Sequence, residues 1–313
     1  MCALTRAGAR SRRATLRKPR RLRAGAVIGI AAPASPFDRE SFEQGEQTLH
    51  AMGFETVIPE GIWTADRYLA GPDEHRAALL QQLFEDARID AVICVRGGYG
   101  SLRILPLLDF DRIAAHPKIF IGFSDATALL ATITRRCGFA TFHGPVVTSL
   151  ANASAPTLAA LSAAVASDAP LSYRPAAAVT VRPGVASGIV SGGNLTTLCH
   201  LLGTPFQPSF RNRILFLEDR GEAAYRIDRM LTQLKLAGCL EGIRGLVLGT
   251  FTDCGPLSEI LEIVSDRLAG TDIPVLAGME AGHAEPNLTL PLGIKAVLDA
   301  DRGLLAFECA TEE

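Results

Sequence analysis

The chain has 313 residues, 48% hydrophobic and 20% charged, which leaves room for two domains of ordinary size and excludes a disordered chain. Its net charge of −2 predicts neither nucleic-acid nor membrane binding. No run of roughly 18 apolar residues occurs, so no membrane-spanning helix is expected.

The charge is uneven along the chain. Residues 1–23 carry nine basic groups and no acid, which leaves 22 basic against 33 acidic groups in an acidic body. No apolar stretch follows those charges, so this segment does not read as a secretory signal. It is expected to be a basic, disordered tail. Seven scattered cysteines with no CxxC pair point to free thiols in a reducing compartment and to no zinc site.

After the tail, the run Ala26 to Ala32 reads as a buried strand, broken by Pro33 and Pro36. Asp38 can cap a helix that runs to about Met52, where Gly53 stops it. A strand over Phe54–Ile58, a loop to Pro72, a helix from Asp73 to about Arg88 and a strand over Ala91–Val95 follow. The glycine loop Arg96-Gly97-Gly98-Tyr99-Gly100 comes directly after that strand. Lys118–Gly122 is a further strand and Asp125–Cys137 an amphipathic helix. This alternation predicts a doubly wound parallel sheet with its site at the carboxyl ends of the strands. Residues 151–178 are rich in Ala, Ser and Pro and read as a helix and a linker. Beyond them lie the glycine-rich segment Gly188–Asn194 and strand Ile214–Glu218, then helix Ala224–Ala237, strand Gly245–Thr250 and helix Pro256–Leu268. Short strands near Pro274–Ala277 and Ile294–Leu298 close the chain.

Ser124 sits where an apolar strand ends and a helix begins, which is the setting of a nucleophile elbow and also of an ordinary serine N-cap. In the first case the amide of Asp125, at a helix start, would face the developing oxyanion. A serine nucleophile needs a base. Of six histidines, His143 and His283 lie in glycine-flanked loops that suit a functional position. His200 lies in a helical stretch and is expected to pack. Glu218 ends an apolar strand, so it either orients an imidazole or pairs with a neighbouring charge. The loop RGGYG lets the main chain approach a ligand closely but is neither a GxGxxG fingerprint nor a P-loop, so no nucleotide cofactor is expected.

Seven segments, in one order, resemble a known family: IGIAAPASP (28–36), CVRGGYGSLRILPLLDFD (94–111), IGFSDATALL (121–130), FHGPV (142–146), GGNLTTLCHLLGTP (192–205), LFLEDRGEAAYRIDRMLTQL (215–234) and GHAEPNLTLPLG (282–293). They resemble the LD-carboxypeptidases, peptidase family S66, which includes murein tetrapeptide carboxypeptidases and microcin C immunity peptidases. The likeness covers about Gly25 to the C-terminus.

The resemblance implies an α/β fold. A flavodoxin-like parallel-sheet N-terminal domain (24–150) would carry the nucleophile, and residues 151–178 would form a helix and linker. A smaller mixed α/β C-terminal domain (179–313) would carry the Glu and His. It implies a triad of Ser124, Glu218 and His283, and an oxyanion hole from the amides of Asp125 and Gly98, with Gly97 next in line. It implies no metal, no cofactor, a cytoplasmic setting and a homodimer. The implied reaction removes the terminal D-alanine from a murein tetrapeptide. Proximity to the motifs makes Gly97, Tyr99, Asn194 and Glu222 candidate substrate contacts. A second reading is a peptidase that cleaves an aminoacyl–nucleotide conjugate, for which Trp63 and Tyr173 are the aromatic residues considered for stacking on a base. A third is a binding module that keeps the fold without the chemistry.

Overall fold

The apolar run after the basic segment forms strand β1 (Val27–Ala31) in a computed structural model that describes residues 16–313. Four further strands precede residue 150: β2 (Glu55–Val57), β3 (Ala91–Cys94), β4 (Ile119–Gly122) and β5 (Thr141–His143). Nine follow: β6 (Leu171–Tyr173), β7 (Val179–Arg182), β8 (Val185–Asn194), β9 (Arg213–Arg220), β10 (Gly245–Thr252), β11 (Val275–Ala277), β12 (Leu290–Leu292), β13 (Lys295–Asp299) and β14 (Leu304–Phe307).

The first sheet has the order β2-β1-β3-β4-β5-β12, and β1 to β5 are all parallel. Strands β3 and β4 are buried at every residue, as continuous apolar runs in a doubly covered parallel sheet must be. Helices Arg39–Ala51, Asp73–Glu85, Phe110–Ala115 and Thr127–Cys137 make the crossovers. Asp38 caps the first, accepting from the Ser41 amide at 2.8 Å, and Gly138 ends the last in the left-handed conformation. The 2-1-3-4-5 strand order is the flavodoxin-like one, with its switch point between β1 and β3.

The second sheet runs β6-β14-β13-β8-β9-β10-β11-β7. Its centre, β8 to β11, is parallel, and antiparallel strands flank it on both sides. Strand β12 leaves this half of the chain to pair antiparallel with β5, Leu290 opposite His143. The two sheets therefore share one apolar core.

Two expectations are corrected. Residues 16–23 are not part of a disordered tail: the Arg17 amide donates to Gly138 O at 2.9 Å, Arg20 bridges to Glu312, and Leu22 is buried. Leu22 supplies apolar burial, and the Arg17 guanidinium donates to the carbonyls of Ala114 and Cys137 at helix ends. Residues 1–15 lie outside the described residues. The segment 151–178 holds the helix Ala155–Val165, but its second part is not a plain linker, because it contains β6, paired with β14.

Candidate active site

Strand β4 ends at Gly122, and two residues later Ser124 takes a φ of +59°, a left-handed conformation that a residue with a side chain seldom adopts. A 3₁₀ turn over Ser124–Ala126 leads into the helix Thr127–Cys137, so the helix starts two residues later than the sequence pattern suggests. Tight packing holds the turn. A Cβ on Gly122 would lie 2.9 Å from the Ala126 Cβ and 3.1 Å from the Cys94 sulfur, and one on Gly97 would lie 2.8 Å from the Ser124 Cβ. Only glycine admits these approaches. The Asp125 carboxylate accepts from the Ser101 amide at 2.8 Å, which ties the turn to the loop after β3. In that loop Gly98 has a φ of +109°, and Tyr99 donates its amide to Ser35 Oγ at 3.1 Å.

Glu218 sits near the end of β9 and is fully buried. Its Oε2 accepts from His283 Nδ1 at 2.7 Å. Burial pushes the Glu218 carboxyl above its ordinary value, and the His283 hydrogen bond pulls it back part of the way. The His283 amide donates to Thr250 Oγ1 at 3.0 Å, and the Gly282 amide to Asn287 Oδ1 at 3.0 Å, so the loop bearing the imidazole is fastened on both sides. A Cβ on Gly282 would lie 2.7 Å from Glu218 Oε2, which is why a glycine precedes the histidine. The His283 ring packs edge-on against Phe123, the neighbour of Ser124, with centroids 4.8 Å apart. Ser124 and His283 line one cleft of about 680 Å³. Among the described residues no hydrogen bond joins the two, a gap common in unliganded catalytic sites.

The geometry separates the two loop histidines. His143 is fully buried and lies off the cleft, with its ring against Phe123 and Phe216. Burial, and secondarily His283, push its pKa down to about 3, so it is neutral and cannot serve as an accessible base.

Residues 28–144 match the model of the LD-carboxypeptidase N-terminal domain, and residues 187–298 match that of the C-terminal domain, both of peptidase family S66. The chain belongs to the LD-carboxypeptidase family. It is 34% identical over 296 residues to the murein tetrapeptide carboxypeptidase of Pseudomonas aeruginosa, covering 88% of this chain and 94% of that one. It is 31% identical over 317 residues to the microcin C7 self-immunity protein of Escherichia coli, covering 90% and 92%. The structure of that immunity protein with aspartyl sulfamoyl adenosine matches with a TM-score of 0.87 over 95% of this chain and 98% of that one. The muramoyltetrapeptide carboxypeptidase of Oxalobacter formigenes matches with a TM-score of 0.82 at 29% identity, over 92% of this chain and all of that one.

The remaining candidates all reach the cleft: Gly97, Gly98, Tyr99, Asn194 and Glu222 line it with Asp125. Asn194 is occupied, however. Its Oδ1 caps the helix Leu195–His200 by accepting from the Thr197 amide at 3.0 Å, and its Nδ2 donates to Asp219 Oδ1 at 3.0 Å. Glu222 pairs with Arg226 at 3.5 Å and is half-buried. Several cleft residues were not legible from the motifs. His200, expected to pack, is exposed and lines the cleft. Arg96 and Arg220 are exposed cations on its wall. Thr250 carries no local signal at all, because its partner lies 33 residues away on another element. Among the described residues no cluster of His, Cys, Asp and Glu could hold a metal ion, and no helix is long and apolar enough to cross a membrane.

Proposed function

We propose that this LD-carboxypeptidase is a serine enzyme that removes the terminal D-alanine from murein tetrapeptides, with Ser124 as nucleophile, His283 as general base and Glu218 as its orienting partner. One observation carries the reading: the buried Glu218–His283 hydrogen bond of 2.7 Å borders the same cleft as a serine held at a left-handed turn. The carboxylate fixes the proton on Nδ1, which leaves Nε2 free to take the Ser124 proton. The alkoxide attacks the carbonyl of the scissile bond, whose electrons move to oxygen. Collapse of the intermediate expels D-alanine, which takes its proton from His283 Nε2, and water then hydrolyses the acyl-enzyme by the same route.

The amides of Asp125 and Gly98 are the proposed oxyanion donors, each worth about 10²–10³ in rate. The Gly97 carbonyl accepts from the Ser35 amide at 3.5 Å, and in a planar trans peptide the following N–H points the opposite way, which supports Gly98 as a donor facing away from Ser35. Free thiols throughout the described residues are in keeping with a reducing compartment, and we assign the activity to the cytoplasm.

The nucleotide-conjugate reading draws less support. The Arg39 guanidinium lies 4.2 Å over the Trp63 ring and occupies one of its faces, and Tyr173 is buried with its hydroxyl donating to Thr289 O, so Tyr173 offers no face to a base. The decisive measurement offers murein tetrapeptide to wild type and to Ser124→Ala and follows D-alanine by mass spectrometry. Release is expected to fall to background in the variant with its circular dichroism unchanged. An unaltered rate in Ser124→Ala would overturn the assignment.

A further inference from the structure

Tyr99, 47% exposed, lines the cleft, and Tyr68, 52% exposed, meets it with ring centroids 5.8 Å apart, the Arg67 guanidinium lying 5.7 Å from the Tyr68 ring centroid. Large apolar rings are normally covered, and two in contact, one of them on the cleft wall, form a ready surface for a ligand. Their backbones are held rather than loose. Arg67 takes a left-handed φ of +55°, and Asp66 and Leu69 exchange both backbone hydrogen bonds at 2.9 Å, which turns Tyr68 outward over the buried Leu69. Ala70 then donates to Ala34 O at 2.9 Å, while Tyr99 is pinned to Ser35. With the backbones held before binding, only the side-chain torsions remain to be ordered when a ligand arrives.

Resting on the reading of this protein as a murein peptidase, we propose that Tyr68 and Tyr99 form a stacking platform for the sugar carried at the amino end of the stem peptide. The positions agree with that chemistry. In a tetrapeptide three residues separate the sugar-bearing end from the scissile carbonyl, a span on the order of 10 Å when extended. Gly97 abuts Ser124, Tyr99 follows two residues later, and Tyr68 extends the wall one ring further. The ring planes are inclined by 57°. A flat purine cannot lie against both at once. A puckered N-acetylated pyranose offers C–H groups to one ring and its acetyl methyl to the other.

The test compares kcat/KM for a bare tetrapeptide and for the same peptide bearing N-acetylmuramic acid, in wild type, Tyr68→Ala and Tyr68→Phe. Wild type is expected to favour the sugar-bearing substrate about three- to tenfold. Tyr68→Ala should bring that ratio close to one, and Tyr68→Phe should keep it, since the ring and not the hydroxyl makes the contact. Cleavage of both peptides with a ratio that Tyr68→Ala does not change overturns the platform and leaves the peptidase reading standing. Cleavage of neither peptide by wild type overturns both. A third arm offers aspartyl sulfamoyl adenosine. If Tyr68→Ala slows that reaction and spares the sugar preference, the platform serves a base and the sugar assignment is overturned.

Discussion

At Ser124 a φ of +59° costs about 1–2 kcal/mol relative to ordinary backbone, and such strain survives only where the surroundings overdetermine it. Here Gly97 and Gly122 close around the turn and Asp125 anchors it. Beneath it lies His143, whose two ring nitrogens have no partner among the described residues and whose pKa burial drives from 6.5 to about 3. A neutral ring there places no positive charge beside His283, the proposed general base. The same burial has a consequence for stability. The folded pKa lies below the unfolded one, so the unfolded chain binds the additional proton in acid. The contribution is complete above pH 6.5 and is lost as pH falls toward 3, by up to about 1.4 kcal/mol per pH unit. His143→Phe keeps aromatic contacts with Phe123 and Phe216 and removes the titration. Urea unfolding at pH 6.5 and 4.5 should show wild type losing about 2 kcal/mol more than the variant. Parallel losses in the two proteins would mean that His143 is paired or hydrated in solution.

Among the elements, a buried arginine does what no local pattern announces. Arg76 lies in the helix Asp73–Glu85 and is fully buried. Its Nε donates to Gly71 O at 3.0 Å and its Nη1 to Gly100 O at 3.0 Å, and it also reaches Pro33 O and Asp73. It thus joins the segments after β1, β2 and β3, including the glycine loop beside Ser124. Arg76→Met keeps the stem and leaves three carbonyls without that donor, so unfolding free energy should drop by about 3–5 kcal/mol in denaturant titration, with kcat/KM falling alongside. A drop below about 1 kcal/mol would show that the loops hold without it. In sequence Arg76 looks like any solvated helical arginine, whereas Ser124, Glu218, His283 and RGGYG are legible because each stands at or near the end of a strand or in a glycine-flanked loop. Strands β1, β3 and β4 are likewise legible from continuous apolar runs. Strand β12 is not: Leu-Pro-Leu carries a proline that argues against a strand, and only its place at a sheet edge, against β5, accommodates it. Strands β5, β6, β7 and β14 are three or four residues long and take partners that propensity cannot see.

The proposed catalytic groups come together across two sheets that no single cut in the chain separates. Ser124 follows β4 of the first sheet, Glu218 is on β9 of the second, and His283 lies between β11 of the second and β12, which returns to the first. Two further ties cross between the halves. Asn194 donates its amide to Thr127 Oγ1 at 3.1 Å, and Glu285, two residues past His283, accepts from Ser154 and Thr157 hydroxyls at 2.7 Å. A fragment ending at residue 178 therefore loses more than the two proposed partners of Ser124. Without β12, strand β5 becomes an open edge, and Phe142 and His143, both fully buried in the intact chain, lose their cover. Residues 16–178 alone are expected to lack a cooperative thermal transition by circular dichroism and to release no D-alanine. Co-expression with residues 179–313 should restore both, because the shared core and β12 can reassemble. A fragment that melts cooperatively within a few degrees of the full chain would show that the first sheet stands alone. The coupling between halves would then reside in the proposed catalytic groups and not in the fold.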